Sequence, residues 1–544
     1  MRFHVQLSLS LILAVASLST VSASATEPRT VAAQIDSELS KRLTAAKIPA
    51  SPRADDAEYL RRVYLDLTGR IPSAARAAAF LDSTDPARRQ KLVDELLASP
   101  EYGEHFATIW MNLIPRDTNQ IRPPKTKPFQ DWLAQHFHKN VPWDKLTTEI
   151  LTATGSNAEQ PPGVFFILSA DSRNNPQANI ITRNVSQLFL GVQLQCAECH
   201  DHPFTKWKQT DFWGMAAFFG KVKNSDKSNG KTNNGVVEVI AAKGKAKGDN
   251  GPRVGPGASI IIPTDAFKNV GKVVKAKYPA GSEPKLTTEE PFRPAFAKWL
   301  TSTDNAYFAP NLVNRLWAQF FGRGFVNPLN DFHEENPASH PELLRMLASE
   351  FVASGFDQKH LIRCICLSDA YQRTSQPVVG NKGVEHPLFS RVELKVLSPE
   401  MLYESLCMAL EVRELFTPEK TATKKKAVGT LPPPLTPREK FLVFFNTKEE
   451  TAEATEFSHG IPQALRLMNH AVFNKGGKTV DRLMKSGSTA QIIEGIYLAA
   501  LARRPSDIEL KDMSAYVSRR GNSREAYNGV LWTLINSAEF TLNH

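Results

Sequence analysis

Cysteine is scarce in this chain, five among 544 residues, which is too few for a disulfide-built scaffold. Beyond the first two dozen residues no apolar run approaches the roughly 20 needed to cross a bilayer. There is no GxSxG, no phosphate-cradling glycine loop, no HExxH and no dinucleotide fingerprint, so the common hydrolase, nucleotide and metalloprotease sites have no motif here. The formal charge of +10 is not arranged in stripes interleaved with aromatics, which argues against nucleic acid as a partner. It collects in lysine-rich patches, at Lys221 and Lys223, Lys243 to Lys247 and Lys424 to Lys426, that read as solvated loops. Attraction to an anionic cell surface or polysaccharide is the second reading of that charge.

What is there begins with an export signal. Arg2 and His4 precede an apolar run from Leu7 to Val21, and Ala23-Ser24-Ala25 supplies the small-residue cleavage pattern. Residues 1–25 are therefore expected to be a signal peptide and Thr26 the mature start. The expected location is the periplasm or the cell surface, with no membrane span after removal of the signal. Oligomeric state is not legible.

Hydrophobic residues make up 42% of the chain, enough for a core, and the mature length suits two or more domains. The fold class expected is mainly α. Periodic apolar stripes predict helices opening at Ala54 to Glu58 and running to Leu67, over Arg88 to Ala98, Phe129 to Phe137 and Trp143 to Leu151. A long helix is predicted from Ile180 to Leu194. Residues 26–220 thus form an N-terminal helical domain. Residues 221–290, rich in Lys, Gly and Asn, read as an insertion with short strands at Val236 to Ala241 and Ser259 to Pro263. Residues 291–544 form a C-terminal helical domain, with helices over Pro310 to Phe320, Pro341 to Ser354, His360 to Ser368 and Ser398 to Glu411; Ser339 is expected to cap the second of these.

The most informative stretch is Cys196-Ala197-Glu198-Cys199-His200. Two thiols three residues apart match the vinyl groups of a porphyrin, and the following imidazole sits where a proximal iron ligand is needed. The expected cofactor is haem c, held by Cys196 and Cys199 with His200 on the iron. Met215, Met111, His105 and His202 are the candidates for the opposite axial position, Met215 being the one carried forward. Trp207, Trp213, Phe218 and Phe219 serve equally as haem-pocket walls or helix packing. The same stretch has a second reading: Cys196, Cys199, His200 and His202 offer two thiolates and two imidazoles, a donor set for zinc or copper. Cys364, Cys366 and Cys407 read as buried thiols. The carboxylates and histidine of Asp331-Phe332-His333-Glu334-Glu335 read first as a polar turn and second as a hydrolytic pair. Asn314, Arg315, Trp317 and Arg323 read as structural ion pairing rather than an anion site.

Blocks around the motif, Phe189 to Gln195, Asp201-His202-Pro203-Phe204 and Gln209 to Gly214, with Leu60 to Gly69 and Leu96 to Gly103 upstream, resemble a cytochrome-like domain of unknown function found in exported planctomycete-type proteins. Asn314 to Trp317, Phe321 to Gly324, Asp331 to Pro337, Ser339 to Leu344, Ser368 to Arg373 and Asn536 to Phe540 are similar to its usual companion domain, also of unknown function. The expectation is an exported haem protein for electron transfer or redox sensing, with a redox protein as partner and no catalytic residues assigned. The alternative is a non-catalytic scaffold associated with cell-surface or polysaccharide-processing proteins, stapled by a structural metal at the Cys/His cluster.

Overall fold

The computed structural model describes residues 25–114, 126–156, 166–167, 177–224, 235–238, 253–254, 258–263, 269–279, 281–287, 290–383, 388–416, 435–446, 460–485 and 487–544. The apolar run from Leu7 to Val21, expected as part of a leader, and the lysine patches at 243–247 and 424–426 lie outside these residues. The fold is mainly helical, as the periodicity predicts. In the N-terminal half α1 spans Pro28–Ala46, α2 Asp56–Thr68, α3 Ala74–Leu81, α4 Arg88–Ala98, α5 Pro100–Leu113, α6 Thr126–His138, α7 Trp143–Thr152, α8 Ala178–Val185 and α9 Gln209–Ala216. In the C-terminal half α10 spans Arg293–Leu300, α11 Phe308–Phe321, α12 Pro341–Ala353, α13 Gln358–Leu367, α14 Pro399–Leu410, α15 Pro437–Phe445, α16 Ile461–Asn469, α17 Gly477–Leu483, α18 Thr489–Leu501, α19 Asp507–Arg519 and α20 Arg524–Ile535.

Local chemistry explains many of the boundaries. Asp55 accepts from the Glu58 N–H at 2.8 Å to start α2, and Gly69, at φ +67°, ends it. Ser99 caps α5 with Pro100 in its first turn. At α12 the expectation fails in detail: His340 occupies the cap position without a side-chain cap bond, and the Ser339 hydroxyl meets the His340 ring instead.

Strands are few and short. β1 (Gly155–Ser156), β2 (Val222–Asn224) and β3 (Gly235–Glu238) form an antiparallel sheet in the order β1-β3-β2. β4 (Arg253–Val254), β5 (Ser259–Ile261) and β6 (Val273–Lys275) form a second, and β7 (Lys395–Val396) pairs with β8 (Leu542–Asn543). The region expected as an insertion therefore does carry strands, and β1 shows one of its sheets extending back into the N-terminal half.

Among the described residues two hydrophobic cores hold the structure together, and neither respects the boundary near residue 290. The larger joins Val31, Leu60 and Phe106 to Phe189, Trp213, Trp317, Phe351 and Ile365. The smaller gathers the helices from α14 onward around Leu406, Ile496 and Leu531, and takes Leu65 and Ile71 from the first half. Each large apolar side chain so buried contributes about 1.5–3 kcal/mol.

Helix α2 is the polar link between them. Asp66, buried, accepts from the Tyr371 hydroxyl at 2.7 Å, Lys395 Nζ at 2.6 Å and Asn543 Nδ2 at 2.7 Å. Arg61 donates to the carbonyls of Ala500 and Phe540, and Arg62 to those of Tyr371, Arg373 and His544. Buried charges of this kind persist only when their hydrogen bonds are met, and these carbonyls meet most of them.

Candidate functional site

The long helix predicted from Ile180 to Leu194 is interrupted. After α8 the chain widens into a π-helical turn, Ser186–Leu190, and stops at Gly191, whose φ is +69°. A Cβ there would lie 2.7 Å from Asn311 Oδ1 and 2.9 Å from Phe332 Cδ2, so glycine is required twice over, by conformation and by contact. The CxxCH then occupies its own 3₁₀ turn, Gln195–Glu198, with Cys199 as its cap. Side chains three apart in such a turn eclipse one another. Ala197 points into the core at 0% exposure, while Cys196 is exposed and Cys199 half-buried. Both cysteines are thus more accessible than the alanine between them. No disulfide joins any of the five cysteines.

Four side chains fix this turn to the scaffold. The Glu198 carboxylate accepts from Asn179 Nδ2 at 2.9 Å and Arg183 Nε at 2.5 Å, both on α8. The Glu198 carbonyl accepts from Trp213 Nε1 at 3.0 Å, and the Cys199 carbonyl from Gln209 Nε2 at 2.9 Å. Trp213 and Gln209 belong to α9, which packs directly behind the motif. Asp201 does not face the His200 ring with its carboxylate; Oδ1 accepts from the Gln209 N–H at 2.9 Å, at the start of α9.

The two neighbouring imidazoles are set oppositely. His200 Nδ1 lies 2.7 Å from the Asp201 carbonyl, which can only accept, so Nδ1 carries a proton and donates it. His202 Nδ1 accepts from the Phe204 N–H at 3.2 Å, so its proton sits on Nε2. Partial burial, followed by the proximity of His333 and His200, holds the His202 imidazole below its ordinary pKa.

The other expected ligands lie elsewhere. Met215 is fully buried on α9, among Phe212 and Trp213. Met111 is buried on α5. His105, also on α5, packs against Gly69, and burial pushes its imidazole down to about 3. Trp207 and Trp213 are core residues; Phe218 stacks on Tyr278 at 5.1 Å and Phe219 meets Phe296 at 5.4 Å, so these four pack helices. Among the described residues no group of three or more His, Cys, Asp or Glu is arranged to hold a metal ion.

One contributor was read from the sequence without any link to the motif. The segment Asp331 to Glu335 is indeed a turn, closed by a bridge between His333 and Asn336. It comes from the C-terminal half and lies against the motif: the Phe332 N–H donates to the Gly191 carbonyl at 2.9 Å, and Gln193 Nε2 to Asn330 Oδ1 at 3.0 Å. A cleft of about 440 Å³ opens between Phe204 to Trp207 on one side and Tyr307 with Phe332 to Glu335 on the other. His333 Nε2 points at Asp331 Oδ2, 3.3 Å away, and Lys206 reaches Glu334 across the rim at 3.3 Å. The pairing of halves was invisible in sequence because 130 or so residues separate the partners.

The remaining candidates are structural. Asn314 pairs through both side-chain atoms with the Val326 backbone, Arg315 donates to the Gln187 carbonyl at 2.6 Å, and Trp317 stacks between Phe321 and Phe325. Cys364, Cys366 and Cys407 are buried, as expected. No helix among the described residues is long and apolar enough to cross a membrane.

Residues 34–224 match PSCyt2, a protein of unknown function (DUF1549), and residues 292–517 match PSD1, a protein of unknown function (DUF1553). No curated protein and no solved structure matches the chain. The CxxCH turn lies in the first match and the His333 turn in the second, so the site stands where the two meet. The chain belongs to the proteins that pair these two domains of unknown function.

Proposed function

We propose that the protein is an exported c-type haem protein, concerned with electron transfer or redox sensing, with Cys196 and Cys199 as the attachment thiols and His200 as the iron ligand. The observation that carries this is the His200 ring: its Nδ1 lies 2.7 Å from the Asp201 carbonyl, and the ring directly follows a turn on which Cys196 is exposed and Cys199 half-buried. A backbone carbonyl on Nδ1 orients a proximal imidazole and strengthens it as a donor. When bound, such a group supplies a one-electron couple.

The residues around it would do the rest. Glu198, Gln209 and Trp213 hold the turn rigid, so that both sulfurs and the imidazole keep their spacing. Phe204, exposed at 78%, would gain an apolar neighbour. Thioether attachment needs the thiols at the porphyrin edge rather than at the metal, so the absence of a tight ligand cage among the described residues is compatible with this donor set. Met215, the further ligand expected from the sequence, is fully buried on α9, and its part in holding such a group would require that helix to repack.

The alternative, a surface or polysaccharide-associated scaffold stapled by zinc or copper at Cys196, Cys199, His200 and His202, fits the donor types. It asks His202 to release the Phe204 N–H or move its proton. The test is expression with its own leader in a host equipped for cytochrome c maturation, followed by a pyridine haemochrome spectrum and metal analysis. A covalent haem signal near one per chain is expected. No such signal, together with stoichiometric zinc or copper, would overturn the reading in favour of the staple.

A further inference from the structure

Glu350 is a carboxylate in an unusual position. It lies on α12 with 9% of its surface exposed, and no lysine or arginine among the described residues pairs with it. His360 of α13 touches Oε1 through Nε2 at 2.9 Å. The other contacts come from the far end of the sequence: the Thr26 backbone nitrogen donates to Oε1 at 2.8 Å and the Thr26 hydroxyl to Oε2 at 2.8 Å. Both carboxylate oxygens are thus directed at the residue that follows Ala23-Ser24-Ala25.

We infer that Glu350 is the receptor for a free α-ammonium at Thr26, formed when residues 1–25 are removed. Hydrolysis of the Ala25–Thr26 peptide bond adds water: Ala25 departs with a carboxylate, and the Thr26 nitrogen becomes an amine that takes up a proton at neutral pH. The nitrogen that now donates one hydrogen bond as an amide then carries a positive charge against a buried carboxylate. A neutral amide and an imidazole compensate a buried carboxylate only partly, whereas an ammonium at the same place meets it as an ion pair with hydrogen bonds. Ala25 is exposed and Thr26 half-buried, so the cleavable bond stands at the boundary where the chain enters the fold.

Position in the fold gives the contact its consequence. Thr26 immediately precedes Glu27, whose side chain caps α1 by accepting from the Thr30 N–H. Helix α1 packs its Val31, Ile35 and Leu39 stripe into the larger core and, through Asp36, accepts the N–H groups of Asp369 and Ala370 at 2.8 Å each. Capture of the new terminus by Glu350 therefore fastens the start of α1 to α12 and α13 of the C-terminal half. Processing would complete the joint between the halves, and a chain with its leader attached would lack that charge.

This inference rests on the export reading and is independent of haem. The experiment uses the full chain made with its own leader in an exporting host, with intact mass to identify the first residue. Its thermal midpoint is compared with that of the same chain bearing Gly-Ser ahead of Thr26, with and without Glu350→Gln. A first residue of Thr26 is expected, with the extended chain melting about 3 °C or more lower. Glu350→Gln should lower the midpoint of the Thr26-initiated chain and change the extended chain much less, the signature of coupling. A start at another residue overturns the cleavage position and the receptor with it. A Thr26 start with equal midpoints for the free and extended chains leaves the leader reading intact and overturns the receptor alone. If Glu350→Gln fails to fold, the comparison of free and extended termini decides by itself.

Discussion

The Phe332 N–H donates to the Gly191 carbonyl at 2.9 Å, and this bond joins the two halves of the chain directly behind the CxxCH turn. Gly191 sits at φ +69° with Asn311 and Phe332 closed around the space where a side chain would be. Gly191→Ala is expected to lower stability by about 2–4 kcal/mol, combining left-handed strain with a contact that cannot relax without parting the halves. Denaturant unfolding measures this, and a loss under about 0.5 kcal/mol would show that the junction is not tight.

The five thiols should separate cleanly in reactivity. Cys196 is exposed and Cys199 half-buried, whereas burial pushes the Cys364 and Cys407 thiols up to about 12 and Cys366 well above its usual value. Before any cofactor is attached, the native protein should titrate two thiols with a disulfide reagent and the unfolded protein five. Three or more reacting at comparable rates in the native state would contradict this burial.

Replacing His200 and His202 separates the two readings of the site. His200→Ala should alter the visible spectrum of the haem protein, while His202→Ala should leave it nearly unchanged, because its Nδ1 already serves the Phe204 backbone. Under the metal staple both substitutions would weaken binding by a similar factor, on the order of 10-fold or more.

Gln209 tests how rigidly the motif is held. Its buried side chain donates to the carbonyls of Cys199 and Glu198 and accepts from Asn269 Nδ2 at 2.8 Å. Gln209→Ala should cost about 1–3 kcal/mol by stranding those groups. Amide exchange from Cys199 to Asp201 should accelerate more than exchange in α2; uniform acceleration would mean that the turn has no local stability of its own.

Two buried histidines predict a pH profile. Burial lowers the His105 imidazole to about 3 and that of His340 to about 4, against an ordinary value near 6.5. Below 6.5 the unfolded chain takes up protons that the folded chain refuses, so stability falls with pH, from about 6.5 down towards the folded values. The loss by pH 4.5 should be on the order of 2 kcal/mol or more per group. His340→Phe and His105→Leu should flatten the profile between pH 6.5 and 4.5, and most clearly in its upper half, where few carboxylates titrate. A profile as steep in both variants as in the parent would assign the acid sensitivity to other groups.

The sequence by itself determined the helices, because apolar spacing and caps such as Asp55, Ser99 and Gly69 act over one or two turns. It also supplied the candidate donors, since CxxCH is a contiguous motif and its reading rests on spacing. It placed Cys364, Cys366 and Cys407 inside because they sit in apolar runs. The break at Gly191 was missed: an apolar stretch continues through Val192 and Leu194, and only the approach of Asn311 and Phe332 makes the stop obligatory. The tertiary structure decided the rest. Arg61, Arg62 and Asp66 look like the solvent face of an amphipathic helix, yet they are buried because their partners at Tyr371, Lys395, Ala500 and Asn543 arrive from hundreds of residues away. The tautomers of His200 and His202, the placing of the His333 turn over the motif and the meeting of Thr26 with Glu350 are likewise set by which backbone groups fall within hydrogen-bond reach. Local pattern cannot encode that reach, because it depends on how two cores pack across the middle of the chain.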